Sequence, residues 1–144
     1  KQMNTRICLD EIIKSDNDLR IALQVGAIRI LNLKPSRVGG FSECVKIYHT
    51  CVENDLPLWV GGMLETGIGR ASNVAFASLT GVNMPSDISA TDRYFKQDIA
   101  TPDFVLNSED STLSVPNGLG IGVDVHHDRL EEASEYWRKQ YPYR

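Results

Sequence analysis

One stretch, Leu58–Ser78 (LWVGGMLETGIGRASNVAFAS), restricts the folds open to this chain more than any other. Leu58-Trp59-Val60 is a short apolar run, the pattern of a strand buried on both faces. Gly61-Gly62 ends it, and without side chains there another group can come close to the backbone. Met63, Leu64, Glu65 and Thr66 follow, then a second pair of glycines, Gly67 and Gly69. Ala71, Val74, Ala75, Ser78 and Leu79 recur at helical spacing, and Thr80-Gly81 supplies a stop. A strand, a glycine-rich turn with a carboxylate and a helix make the upper end of a βα unit. In parallel α/β folds that end binds ligands. Taken alone, the glycines fit a tight turn that binds nothing equally well.

The same unit recurs upstream. Arg6-Ile7-Cys8-Leu9 reads as a short strand with Asp10-Glu11 at its carboxyl end. Ser15 caps a helix whose first turn holds Asp16 and Asp18, where the helix dipole favours acids. Leu19, Ala22 and Leu23 are its buried stripe and Gly26 ends it. Ile28–Leu33 is a second strand. Pro35 cannot continue a central strand, so Lys34 lies at the carboxyl end. After the loop 36–40, Phe41, Cys44, Val45, Tyr48, Cys51 and Val52 mark a helix that Asn54-Asp55 and Pro57 stop. A fourth, weaker strand is expected around Asp87-Ile88-Ser89-Ala90.

Three strand-then-helix units and a final strand require parallel pairing with right-handed crossovers. Asp10, Glu11, Lys34, Gly61–Glu65 and Asp87–Ser89 then all fall at the carboxyl ends of the strands, and that convergence outweighs any single residue. Singly, Asp10 or Glu11 reads as a carboxylate at the start of a helix, and Lys34 as a surface lysine. At a strand end after apolar residues, however, a partly buried Lys34 could exchange protons near neutral pH.

Beyond Ala90 the pattern changes. Phe104/Leu106 and Leu113/Val115 flank a turn-rich 107–112 and predict a β-hairpin, and Ile121, Val123 and Val125 form a further alternating run. Asp128 and Glu131 resemble a capping box for a last helix with Leu130, Ala133 and Trp137 on its apolar side. We therefore expect residues 1–99 to form the parallel α/β part of the fold and 100–144 a hairpin and helix packed on it.

At 144 residues and 42% hydrophobic, the chain can build one ordinary core. A net charge of −4 without a basic run excludes a general nucleic-acid binder. No segment approaches the roughly 20 apolar residues of a membrane span, and no signal peptide is visible. Cys8, Cys44 and Cys51 form no CxxC pair, so free thiols in the cytoplasm are expected, with Cys44 and Cys51 as small buried hydrophobes. His126-His127 is a poor metal pair because neighbours on a helix diverge by about 100°. His49 reads as structural.

Together the residues carry a named resemblance. CysLeuAspGlu at 8–11, AsnLeuLysProSerArgValGlyGly at 32–40 and GlyGlyMetLeuGluThrGlyIleGlyArgAlaSerAsn at 61–73 resemble the C-terminal half of an enolase-superfamily barrel. AspIleSerAlaThrAspArgTyrPhe at 87–95 and ValProAsnGlyLeuGlyIleGlyVal at 115–123 continue the likeness. Within the superfamily the chain is most similar to the o-succinylbenzoate synthase and N-acylamino acid racemase branch. The resemblance implies an α/β fold, the C-terminal half of a (β/α)8-type barrel with about four parallel strands, plus the hairpin and helix tail.

The resemblance also implies a division of labour. Asp10 would be the last of three acids holding a divalent metal, usually Mg²⁺, with Glu11 beside it in support. Lys34 would face the substrate opposite a second lysine, and Gly61, Gly62, Met63 and Glu65 would line the substrate pocket. The metal would stabilise an enediolate of a small carboxylate substrate, either in the dehydration of menaquinone biosynthesis or in a racemisation. A whole barrel takes about 250 residues. The other metal acids and the opposing lysine would therefore lie before Lys1, on a missing N-terminal half. The chain is expected to be inactive alone and prone to associate, as a homo-oligomer of the complete enzyme or as a half-barrel that only assembles or binds anions.

Overall fold

A computed structural model describes residues 4–142. Two compact units are distinguished, Lys1–Met63 with Phe76–Ile88, and Leu64–Ala75 with Ser89–Arg144.

In the first unit, three short strands form a parallel sheet in the order β1 (Cys8–Leu9), β2 (Ile30–Leu33), β3 (Leu58–Val60). The crossovers are α1 (Asp16–Gln24) and α2 (Phe41–Glu53). The expected cap of α1 is present: the Asp18 amide donates to Ser15 Oγ at 3.2 Å, and that hydroxyl donates to Asp18 Oδ2 at 2.8 Å. Of its expected stripe, Leu19 and Ala22 are buried and Leu23 partly so.

Alternation along the strands sends Leu31, Leu33, Leu58 and Val60 into one core with Leu19, Ile28 and Ile47. The opposite side of β2 carries Asn32 and then Lys34. The apolar run of α2 points differently from expectation, because Cys44, Ile47, Thr50 and Cys51 are buried whereas Val45 and Val52 are about half exposed. Thr50 can occupy the inner face because its hydroxyl donates to Asp16 Oδ1 at 2.5 Å and accepts from Arg20 Nη2 at 2.8 Å.

The expected fourth strand does not form, and no ladder includes residues 87–90. Residues 83–86 satisfy the edge of β3 instead. The Asn83 and Met84 amides donate to the Leu58 carbonyl at 3.1 and 3.3 Å, and the Val60 amide donates to Ser86 Oγ at 3.1 Å. Pro85 has no amide to give a regular ladder, so side chains complete the pairing. The first unit therefore has three parallel strands where about four were expected.

Burial pushes the Cys44 thiol up to about 11 and the Cys51 thiol up to about 12, whereas Cys8 is exposed. In native protein at pH 8, iodoacetamide should therefore modify Cys8 and spare the other two until the chain is unfolded. Peptide mass spectrometry reads this directly, and equal modification of all three would contradict the burial.

The second unit contains most of α3 (Gly67–Ala77), a 3₁₀ turn at Thr91–Arg93, an antiparallel pair of β4 (Ala100–Thr101) and β5 (Asp124–Val125), and α4 (His127–Gln140). Gly67 and Gly69 lie inside the first turns of α3 and not in the preceding loop. The predicted hairpin shrinks to one bridge, Leu106 to Leu113. Local turns take its amides, with Glu109 donating to Asn107 Oδ1 at 3.0 Å and Thr112 to Asp110 Oδ1 at 3.1 Å.

The capping box at Asp128 and Glu131 is not used. Helix α4 starts earlier, with His126 as N-cap and no side-chain cap bond, and the His126 amide donates to the Ile99 carbonyl at 2.7 Å. The adjacent histidines thus open a helix. The expected apolar side of α4 is not packed away: none of its residues is buried among those described, and Leu130 and Trp137 are 40% and 53% exposed. Among the described residues no helix is long and apolar enough to cross a membrane.

Candidate active site at the strand ends

The parallel sheet places three chain segments side by side at its carboxyl edge. Asp10 follows β1 directly, and Lys34 follows β2 on the same face as Asn32. The two come together: Lys34 Nζ donates to Asp10 Oδ2 at 3.1 Å, and Asn32 Nδ2 donates to the same oxygen at 2.8 Å. Side-chain exposures of 16% for Lys34 and 28% for Asp10 leave the pair shielded but reachable.

Arg37 completes the cluster from the loop after Lys34. Its Nη1 donates to Asp10 Oδ1, its Nη2 to the Asn32 carbonyl, and its Nε to the Ile13 carbonyl at 3.1 Å. One guanidinium therefore ties the loop after β1 to β2 and neutralises the carboxylate from the side opposite Lys34. Sequence reading missed Arg37 and Asn32 as members of the site. The available signals were a basic residue three places after Lys34 and a polar residue two before it, in an otherwise apolar strand.

Gly61 ends β3 and its amide donates to the Leu33 carbonyl at 2.8 Å. A methyl group there would sit 2.7 Å from Lys34 Cε and 2.8 Å from Lys34 Cγ, and would also strike Asn32 Oδ1. Gly61 is thus required for space beside Lys34. Gly61→Ala should displace the amine from Asp10, and for a lysine that acts on a substrate a misplacement near ~1 Å costs about 10²-fold in turnover. Circular dichroism should be unchanged, and full activity in this variant would show that Lys34 needs no such room.

Gly62 is held by its amide donating to Asp87 Oδ1, and Met63 is half exposed. Glu11 is exposed in the turn after Asp10.

Glu65 belongs to the second unit, two residues before the start of α3. Its Oε1 accepts from Asn73 Nδ2 at 2.8 Å, and its carbonyl accepts from Arg70 Nη2 at 3.0 Å. Arg70 and Asp98 are 0% and 1% exposed and pair at 3.4 Å, with Asp98 Oδ2 also accepting the Gly67 amide at 2.7 Å. Sequence reading assigned no role to Asn73, Arg70 or Asp98.

Parallel strands joined by helices, with an acid and a lysine paired at neighbouring strand ends, mark the first unit as a parallel α/β fold. The chain belongs to the enolase C-terminal domain-like family, whose model matches residues 1–129. It is 51% identical to an o-succinylbenzoate synthase of Enterococcus faecalis over 94% of this chain and 36% of that protein. It is 45% identical to an N-succinylamino acid racemase of Amycolatopsis over 93% of this chain and 36% of that protein. A solved enolase-superfamily member from Enterococcus faecalis superposes with a TM-score of 0.85 at 52% identity, covering 90% of this chain and 35% of that one. The chain thus spans about a third of the length of the relatives it matches.

The family implies a divalent cation, and Asp10 has suitable chemistry for one, since hard cations take carboxylate oxygens. Its two oxygens already receive Arg37, Lys34 and Asn32, and among the described residues no three of His, Cys, Asp and Glu gather as a metal site. The fit is to one ligand position of such a centre.

Proposed function

We propose that this chain contributes Asp10 and Lys34 to the active site of an o-succinylbenzoate synthase. The observation that carries the reading is the 3.1 Å pair at adjacent parallel strand ends, in a chain about half identical to a synthase over nearly all its length. Lys34 spends one N–H on Asp10, which leaves two ammonium hydrogens for a substrate. Placed beside a substrate carboxylate, that cation stabilises the charge that develops as the α-proton leaves. Arg37 keeps Asp10 anchored on its other oxygen, so Lys34 can turn toward a substrate without stranding the carboxylate. When bound, a Mg²⁺ ion would add positive charge at the same enediolate, with Asp10 as one ligand. The remaining ligands and the opposing lysine are proposed to lie in the part of the relatives that this chain does not cover, and Lys1–Arg144 alone is proposed to be inactive.

Racemisation of N-succinylamino acids is the second reading, favoured by the 45% identity to a racemase. It would require Lys34 itself to give or take the α-proton. The deciding experiment assays the enzyme that carries this sequence for both reactions. Formation of the aromatic dehydration product supports the synthase. Uptake of solvent deuterium at the substrate α-carbon supports the racemase, and neither activity would overturn both readings.

A further inference from the structure

The side chain of Glu65 lies in a track built from α3. Gly69 leaves room for its stem, since a methyl group on Gly69 would meet Glu65 Cγ at 2.8 Å and Cβ at 3.0 Å. One turn farther along, Asn73 is 4% exposed and donates to the carboxylate at 2.8 Å. The backbone beneath is fixed as firmly. Arg70 Nη2 grips the Glu65 carbonyl, and Asp98 takes the Gly67 amide. Arg70 is itself held by Asp98 and Thr91, with Phe104 6.0 Å below its guanidinium. Three buried polar side chains thus converge on one partly exposed glutamate and its segment. A surface carboxylate that served only solubility would need none of this, because ordering a glutamate costs rotamer entropy.

We propose that Asn73 and Arg70 are positioning residues that fix Glu65 for substrate binding, Asn73 through its carboxylate and Arg70 through its carbonyl. The proposal rests on the reading that Glu65 lines the substrate pocket of the synthase or racemase. Preorganising one carboxylate lowers the cost of binding more than it alters the chemical step.

The test is a double-mutant cycle in the enzyme that carries this sequence, with KM and kcat measured for Asn73→Ala, Glu65→Ala and the pair. Asn73→Ala should raise KM by about tenfold, the value of one hydrogen bond to a charged group, with kcat within about twofold. It should add nothing in the Glu65→Ala background, because a residue acting through Glu65 has no effect without it. An unchanged KM in Asn73→Ala, or an equal rise in both backgrounds, would overturn the proposal. Hydrogen exchange at the Thr66 and Gly67 amides gives an independent arm in Arg70→Lys and Asn73→Ala, whether or not either substrate is turned over. Faster exchange in a folded variant supports positioning, and wild-type exchange in both variants overturns it. Absence of turnover in the unsubstituted enzyme counts against the functional reading alone, and the exchange arm then decides the positioning.

Discussion

Lys34→Ala is expected to lower turnover by about 10²–10⁴-fold while the protein remains folded. The amine pairs with Asp10 Oδ2 at 3.1 Å, and the space beside it is kept clear by Gly61. The position within that range carries information. A lysine that only stabilises developing charge should cost about 10²–10³-fold, as lost oxyanion donors do. A lysine that carries the α-proton should reach the upper end. The fold should tolerate the change, because Arg37 and Asn32 still bind both Asp10 oxygens. We expect a stability loss of about 1–2 kcal/mol, typical of one partly shielded charged hydrogen bond. Steady-state kinetics with urea unfolding separates the two effects, and a variant that loses both activity and fold would make Lys34 a structural residue.

Asp98→Ala should have the largest effect on stability, about 3–5 kcal/mol, read as a lower midpoint in urea or thermal unfolding. The substitution leaves the Arg70 guanidinium at 0% exposure without its carboxylate and removes the acceptor for the Gly67 and Ala100 amides. Replacing a buried ion pair with well-packed apolar side chains is often neutral. Here the joint substitution Arg70→Met/Asp98→Leu should still destabilise, because leucine cannot receive those two amides. A double variant as stable as the unsubstituted protein would show that the pair contributes charge alone.

The first half of the chain was legible because its signals are local. Pro35 fixed where β2 ends, and with it the place of Lys34; Ser15 marked the start of α1; Gly61-Gly62 marked the end of β3. Strand order then brought Asp10 and Lys34 together, since parallel neighbours present the same ends. The partners of Asp10 were less visible. Asn32 looked like an interruption in an apolar strand, and Arg37 reaches back 27 residues to its carboxylate, a contact no local pattern encodes.

Where expectation failed, tertiary contacts had overridden periodicity. Val45 and Val52 fit an apolar stripe on α2, yet Ile47 and Thr50 take the inner face because Asp16 and Arg20 satisfy the threonine. The run 87–90 alternates like a strand, but β3 is already covered by 83–86. In α3, the pattern picked out Ala71 and Val74, which are buried, but passed over Arg70 and Asn73, which are buried only because each found a polar partner.

The Lys34 amine is proposed to act on a substrate beside Asp10. The most direct test is chemical rescue of Lys34→Ala by small primary alkylamines, with turnover measured against amine concentration. The rate should rise with added amine, because the lysine side chain packed against Gly61 would be gone and its amine position beside Asp10 free for a small cation. Turnover in Lys34→Ala that matches the unsubstituted enzyme and does not respond to amine would contradict it.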